Sequence, residues 1–409
     1  MKVQPSILRK LNERRVLNSI RVGKAISRAE IQRKLNLTMP TVSRIVDELI
    51  ANGWVREVGI GEFTLGRPPM MLEINPNVPV ALGVDVGREY VRTVCVNLLA
   101  EVIAERQVSV QEIQSGTELL NYLKNVMREL AVDESSLVGI GLAAPSPGNL
   151  HLNISPPMKL GGIEVGMVTQ SNKSILEERI SRQLGIPAFM ENDANAAVLG
   201  EMWFGLGQHA GHLVFVLADE GVGAGIAVNG SIYTGGNGAA GEFSHTIIDV
   251  HGDVMCECGR KGCMGGLSHM RAIRRELAQL GRPVQSEQEV FSLAQARVEP
   301  EASVVAKTLD YLSVGISNLI QTIDPRMVIL GGNVIWSNDF AAQEINERVQ
   351  KLQKPHAVPV MQSGFGVHAI AIGAATLALQ HVYDHTTLMN LGDEPAESAV
   401  GSKNVKWAK

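Results

Sequence analysis

Three of the chain's four cysteines fall within eight positions, in the run Cys256-Glu257-Cys258-Gly259-Arg260-Lys261-Gly262-Cys263. His245 stands just upstream, in Gly241-Glu242-Phe243-Ser244-His245. One imidazole and three thiolates make a complete tetrahedral set for Zn²⁺, which favours nitrogen and sulfur donors and takes four of them in a structural role. Gly259 and Gly262 let the chain turn tightly between the donors. Four protein donors leave no position for a catalytic water, so one structural zinc per chain is expected. Free thiols or a disulfide would also satisfy this spacing, but nothing else here has the character of a secreted protein. The fourth cysteine, Cys95, lies in an apolar run.

What must position such a site is a large body. The length of 409 residues implies about two to three domains, and 45% hydrophobic residues can fill a sizeable core. No apolar run reaches the roughly 18 residues of a membrane-spanning helix, so no membrane insertion is expected. The N-terminal stretch lacks the apolar core of a signal peptide, and the few, clustered cysteines suit a reducing cytoplasm. Charge is uneven. Residues 1–77 carry 13 of the 37 basic and 7 of the 42 acidic side chains, leaving 24 and 35 for the rest. A basic segment on an acidic body points to a nucleic-acid-binding head.

The head reads as three helices and a wing. Ile7, Leu8, Leu11, Val16, Leu17 and Ile20 fall on one helical face over 7–22. Ser27-Arg-Ala-Glu30 is a capping-box pattern that starts a second helix over 28–35. Thr38 caps a third, about 39–52, with Pro40 in its first turn and Gly53 at its end. Two short helices across a tight turn make a helix-turn-helix. Ile31, Leu35, Leu37, Val42, Ile45, Val46 and Leu49 form its core. Thr38, Met39, Thr41, Ser43 and Arg44 then lie at the start of the helix that enters the major groove, where side chains face base edges. A purely solvated face is the bland alternative. Strands over 54–58 and 70–74 flank a Gly-rich turn, a wing, and residues 75–79 form a linker.

Beyond the linker, apolar strands alternate with helical stretches, which argues for an α/β body. Strands are expected at 80–87, 90–99, 137–144, 186–192, 213–218, 225–228 and 327–332, with a helix over 339–352. The apolar helix 304–322 is either core or an oligomer contact. Residues 385–409 form a polar tail.

The spacing His-x10-Cys-x-Cys-x4-Cys, after Gly238-Ala-Ala-Gly-Glu-Phe-Ser-His245, resembles the zinc motif of the ROK family of repressors, open reading frames and sugar kinases. The resemblance runs over nearly the whole chain. It implies an N-terminal winged helix-turn-helix over 1–74 and a two-lobed actin/hexokinase-like (ribonuclease H-like) body over 80–384. The turn Gly66-Arg67-Pro68-Pro69 resembles the wing of ROK repressors, and Arg67 there suits a narrow minor groove. Asp193 matches the family's general base for a sugar hydroxyl, and Asn192 beside it a sugar-binding amide. Glu242 and His245 match the motif whose Glu accepts from sugar hydroxyls and whose His serves the zinc. Asn192 and Asp193 also fit plain N-caps of the following helix.

The chain departs from the kinase pattern at each phosphate loop. The family's Asp-x-Gly-Gly-Thr reads Asp85-Val-Gly87-Arg88-Glu89, and its Gly-Thr-Gly-Val-Gly reads Asp219-Glu220-Gly221-Val222-Gly223. Asn333 follows Gly331-Gly332 where a third Gly is usual. Glu89, Asp219 and Glu220 would face a polyphosphate, each such pair costing roughly 3 kcal/mol at about 5 Å and an effective dielectric near 20. On the sugar side the family's Glu after the last Cys is Gly265, and its Pro-Asn-Leu loop reads Pro156-Pro157-Met158. The expectation is therefore a regulator rather than an enzyme. It would be a repressor of carbohydrate genes that binds a double-stranded DNA operator as a homodimer or homotetramer and responds to a sugar or sugar phosphate. A sugar kinase with an added DNA-binding head, or a repressor switched by a protein partner, are the alternatives.

Overall fold

In the computed structural model the chain divides into two units, residues 1–74 with 380–409, and residues 75–379. The structure describes residues 5–60, 69–78, 80–113, 116–130, 137–145, 159–160, 163–164, 170–208, 210–336, 339–353 and 357–383.

In the first unit, α1 (Pro5–Gly23) buries Val16, Leu17 and Ile20. A short strand β1 (Ile26–Ser27) leads into α2 (Arg28–Leu35). The capping box is complete: Ser27 Oγ accepts from the Glu30 N–H, and Glu30 Oε2 accepts from the Ser27 N–H at 2.8 Å. Asn36, at φ 52°, ends α2 in the left-handed conformation. Next comes α3 (Met39–Ala51), which buries Val42, Ile45, Val46 and Leu49. Leu35 and Leu37 are only partly buried, because both flank the tight turn. Thr38 holds the N-cap position of α3 but makes no side-chain cap bond; its hydroxyl pairs with that of Thr41 at 2.9 Å. The wing strands β2 (Val55–Ile60) and β3 (Met70–Ile74) complete an antiparallel sheet in the order β1-β3-β2. Arg28 locks the motif by pairing with Asp47 of α3 at 3.0 Å and Glu57 of β2 at 2.8 Å.

The second unit is two lobes of like topology. The first holds β4 (Ala81–Val86), β5 (Tyr90–Val96), β6 (Val102–Ser109), α4 (Gly116–Glu129), β7 (Gly139–Ala144), the small pair β8 (Lys159–Leu160) and β9 (Ile163–Glu164), α5 (Gln170–Leu184), β10 (Ala188–Asn192) and α6 (Asp193–Phe204). The second holds β11 (Leu213–Ala218), β12 (Val222–Val228), β13 (Ser231–Ile232), α7 (Met270–Gln279), α8 (Glu287–Gln295), α9 (Glu301–Ile323), β14 (Met327–Gly331), α10 (Asn333–Trp336), α11 (Asp339–Leu352), β15 (Val360–Gln362) and α12 (Ala369–Tyr383), of which residues 380–383 belong to the first unit. The sheets run β10-β7-β4-β5-β6 and β13-β12-β11-β14-β15. In each, three antiparallel strands are extended by two parallel ones on the far side of the first.

Both faces of β11 are apolar because both are covered. Val214 and Val216 face a core with α7, α8, α9 and α11, while Leu213, Phe215 and Leu217 face α6 and α12. The apolar face of α9 goes into the first of these cores, so the helix 304–322 is core. Where α12 crosses the first sheet the backbones nearly touch: a Cβ on Gly141 would stand 1.7 Å from the Ala374 carbonyl oxygen. A Cβ on Gly225 would likewise meet the Ala194 carbonyl of α6 at 2.1 Å. Small residues thus let α6 and α12 lie close against the sheets, bringing the ends of β4, β10 and β11 toward one cleft.

Candidate effector and metal site

The parallel strand β10 delivers Asn192 and Asp193 to the start of α6. Asn192 is the N-cap: its Oδ1 accepts the Asn195 N–H at 3.0 Å. Its Nδ2 donates to Asp193 Oδ1 at 2.9 Å, and that oxygen also accepts the Ala194 N–H at 2.7 Å. Both residues therefore have structural work besides any ligand. Burial raises the Asp193 carboxyl above the usual range, against the Ala194 N–H, Arg88 and Asn192, which lower it.

Glu242 comes from the loop after β13, within electrostatic reach of Asp193. Burial, helped by Asp193, pushes its carboxyl up to about 7. His245 faces two ways. Its Nε2 lies 3.7 Å from Glu242 Oε2, and its Nδ1 lies 3.5 Å from Cys256 Sγ.

The donor atoms of His245, Cys256, Cys258 and Cys263 all lie within 4.8 Å of one another, and all four cysteines of the chain are free thiols. Cys258 and Cys263 sulfurs are 3.5 Å apart, close to the edge of about 3.8 Å that a tetrahedron with 2.3 Å metal–sulfur bonds requires. The cluster can hold a metal ion. Its loop is fixed by backbone bonds, Cys256 N–H to Arg260 at 2.8 Å and Met264 N–H to Thr246 at 2.9 Å. Gly262, at φ 74°, presses against the Asp249 carbonyl where a Cβ would stand 1.9 Å away. Against burial, which raises it, Arg260 brings the Cys258 thiol down to about 7. Next to the last cysteine, Met264 is fully buried, with its sulfur against Gly315 of α9.

The positions compared with phosphate loops line the same cleft, but their charges differ from the sequence reading. Glu89 is exposed. Glu220 is paired with Arg274 of α7 and lies 3.9 Å from Arg271 Nε, two partners that sequence reasoning missed. Arg88 faces Glu257 of the metal loop at 4.0 Å. Asp219 remains as a half-buried acid, its Oδ1 accepting from the Glu220 N–H and from Asn333 Nδ2 at 3.2 Å. Burial pushes it to about 6. Asp85 joins it. Only 2% exposed, with Oδ2 lacking a partner among the described residues, its carboxyl is pushed up to about 8 by burial, with Asp193 and Asp219 adding and Arg92 opposing.

In the head, Met39 and Arg44 are exposed and Thr41 and Ser43 half-buried on the first turns of α3, while Thr38 is exposed before it. Arg44 reaches Glu48 at 3.4 Å, a carboxylate shared with Arg9 at 2.8 Å. Arg67, Pro156, Pro157, Met158 and the tail 385–409 lie outside the described residues.

The pattern that describes the ROK family matches residues 81–381. The chain belongs to the ROK family. The pattern of the MarR family of DNA-binding domains matches residues 10–57, over the helix-turn-helix. The ROK chain is 26% identical to the xylose repressor of Bacillus spizizenii, over 93% of this chain and 97% of that one. It is also 28% identical to the glucokinase of Halalkalibacterium halodurans, over 67% of this chain and 86% of that one. A crystal structure described as a ROK family transcriptional regulator, homolog of E. coli MLC protein, shares the fold at a TM-score of 0.73 and 24% identity, covering 94% and 99% of the two chains. The fold class is the expected one, a winged helix-turn-helix followed by a two-lobed, hexokinase-like ROK body. No helix among the described residues is long and apolar enough to cross a membrane.

Proposed function

We propose that this ROK chain is a transcriptional repressor of carbohydrate genes. Its head grips a double-stranded DNA operator, and its body senses a sugar or sugar phosphate and loosens that grip when occupied. The observation that carries this reading is the extent of similarity. The xylose repressor matches over 93% of the chain, head included, whereas the glucokinase leaves a third of it unmatched.

Thr38, Met39, Thr41, Ser43 and Arg44 would meet base edges and phosphates from α3, with Arg67 reaching from the wing. Two heads in a homodimer or homotetramer would read two half-sites, in the cytoplasm. In the body, Asn192, Asp193 and Glu242 would exchange hydrogen bonds with sugar hydroxyls. His245, Cys256, Cys258 and Cys263 would hold one structural Zn²⁺, which when bound supplies a four-point crosslink of the loop and no open position. His245 would donate through Nδ1 to that crosslink while Nε2 steadies Glu242, as metal-bound imidazoles do with a second partner.

Asp219 stands where the kinase loop has a Gly and adds an acid that opposes a polyphosphate, so no phosphoryl transfer is assigned. One observation favours a second reading, a sugar kinase with a DNA-binding head: the general-base position still holds Asp193. A thermal-shift screen of the zinc-loaded chain separates the two, using xylose, other sugars, sugar phosphates and ATP–Mg²⁺. The sensor reading expects a rise in melting temperature with a sugar or sugar phosphate, none with ATP–Mg²⁺, and loss of the rise in Asp193→Ala. A rise with ATP–Mg²⁺ and phosphorylation of a sugar would establish the kinase. Silence from every ligand would point to a protein partner as the switch.

A further inference from the structure

The helix assigned to DNA, α3, carries two acids outside its core face, Asp47 and Glu48. Carboxylates there repel phosphate, so their partners decide which flank of α3 a DNA backbone can approach. Each acid marks one flank. Thr41, Arg44 and Glu48 follow one another at i, i+3 and i+7 along the first, while Ser43 and Asp47 lie at i and i+4 along the second.

The second flank is short of positive charge. Arg28 alone serves both Asp47, at 3.0 Å, and Glu57 of β2, at 2.8 Å. One guanidinium against two carboxylates leaves a negative charge over. The first flank has the reverse balance. Glu48 Oε1 accepts from Arg9 Nη2 of α1 at 2.8 Å and from Arg44 Nη1 at 3.4 Å. Two guanidiniums share one carboxylate oxygen, which leaves a positive charge over. The Arg9 and Arg44 side chains are 54% and 48% exposed, so that charge faces solvent. The shared oxygen also keeps Arg9 beside Arg44, a side chain assigned to base edges.

We infer that Arg9 is a phosphate contact: one strand of the operator backbone runs along the α1 flank of α3, and Arg9 exchanges Glu48 for a phosphate oxygen while Glu48 keeps hold of Arg44. This statement rests on the operator-binding reading. A guanidinium suits the exchange because its planar fork meets phosphate as it meets carboxylate. Such a contact fixes the register and orientation of the head on the duplex and carries no sequence information itself. Arg28 does not suit that role, because leaving its pairs would turn two bare carboxylates toward the DNA.

The contact is tested by fluorescence anisotropy of the zinc-loaded full chain, on a duplex it has selected from a random library and on a random duplex, from about 50 to about 200 mM salt. Arg9→Ala, Arg9→Gln and Arg9→Lys are compared with the parent and with Arg182→Ala, which removes an exposed arginine of α5 likewise paired with a glutamate, Glu178. A phosphate contact predicts that Arg9→Ala and Arg9→Gln flatten the dependence of log affinity on log salt by about 0.9 for each bound head, so that the parent loses about 3.5-fold more affinity over this range. The ratio between selected and random duplex should hold, since both carry the same phosphates. Arg9→Lys keeps the charge and should keep the slope, and Arg182→Ala should match the parent. The same flattening in Arg182→Ala, or a lost preference at unchanged slope in Arg9→Ala, overturns the contact. A parent that binds neither duplex sinks the operator-binding reading and the contact with it. A parent that binds while Arg9→Ala and Arg9→Gln keep its slope sinks the contact alone.

Discussion

At the scale of single residues the cleft is a set of acids whose ionisation is resisted. Asp85 is the extreme case, with its carboxyl pushed up to about 8 against an unfolded value near 3.9. The folded chain therefore keeps this proton where the unfolded chain has shed it. Stability falls as pH rises from about 4 to about 8 and levels off above that. Asp85→Asn, which never ionises, should raise the melting temperature at pH 8 and change it little at pH 4.5. Equal shifts at both pH values would show that burial of the charge is not what the site costs. The metal set was legible in the sequence because its four donors lie within 19 consecutive positions, His245 to Cys263. The partners that decide the charge of the cleft were not, since Arg271 and Arg274 meet Glu220 from some 50 positions away. The arginines at 271, 274 and 275, right after the metal loop, were the one available signal.

At the scale of elements, local rules served where the chain makes its own boundary. The Ser27–Glu30 box, the Pro40 first turn and Gly53 all fall where the helices begin and end, because each acts through backbone groups a few residues away. β6 was missed because it is an edge strand exposed along nearly its whole length, so its sequence lacks an apolar face to alternate with. β13 and β15, of two and three residues, are too short to carry a pattern. The close crossing of α12 over the first sheet was equally hidden, since a glycine in a strand does not say what presses on it. It is testable now. Gly141→Ala places a Cβ 1.7 Å from the Ala374 carbonyl oxygen, and should cost at least the 1–3 kcal/mol or so of an overpacked core. Gly221→Ala, where an added Cβ meets nothing within 4 Å, should be near neutral. Urea denaturation of the two variants gives the comparison, and equal midpoints would contradict the packing described.

At the scale of the whole molecule, the sequence indicated an α/β body from alternating strands and helices, and a basic head from its charge. It did not show that the two lobes repeat one strand order, because that likeness lies in connectivity rather than in matching residues. The division of labour follows from the two units. A motif with exposed side chains on α3 suits base edges, and a cleft lined by Asn192, Asp193 and Glu242 suits hydroxyls. Coupling between such sites is typically about 1–3 kcal/mol. The most direct measurement is fluorescence anisotropy of the zinc-loaded chain on a duplex it has itself selected from a random library. That duplex is titrated with the sugar that stabilises the body. The account predicts a preferred duplex, a binding constant weakened about 5- to 150-fold by that sugar, and loss of sequence preference in Arg44→Ala. No preference over random DNA, or binding to the preferred duplex unchanged by a sugar that occupies the body, would contradict it.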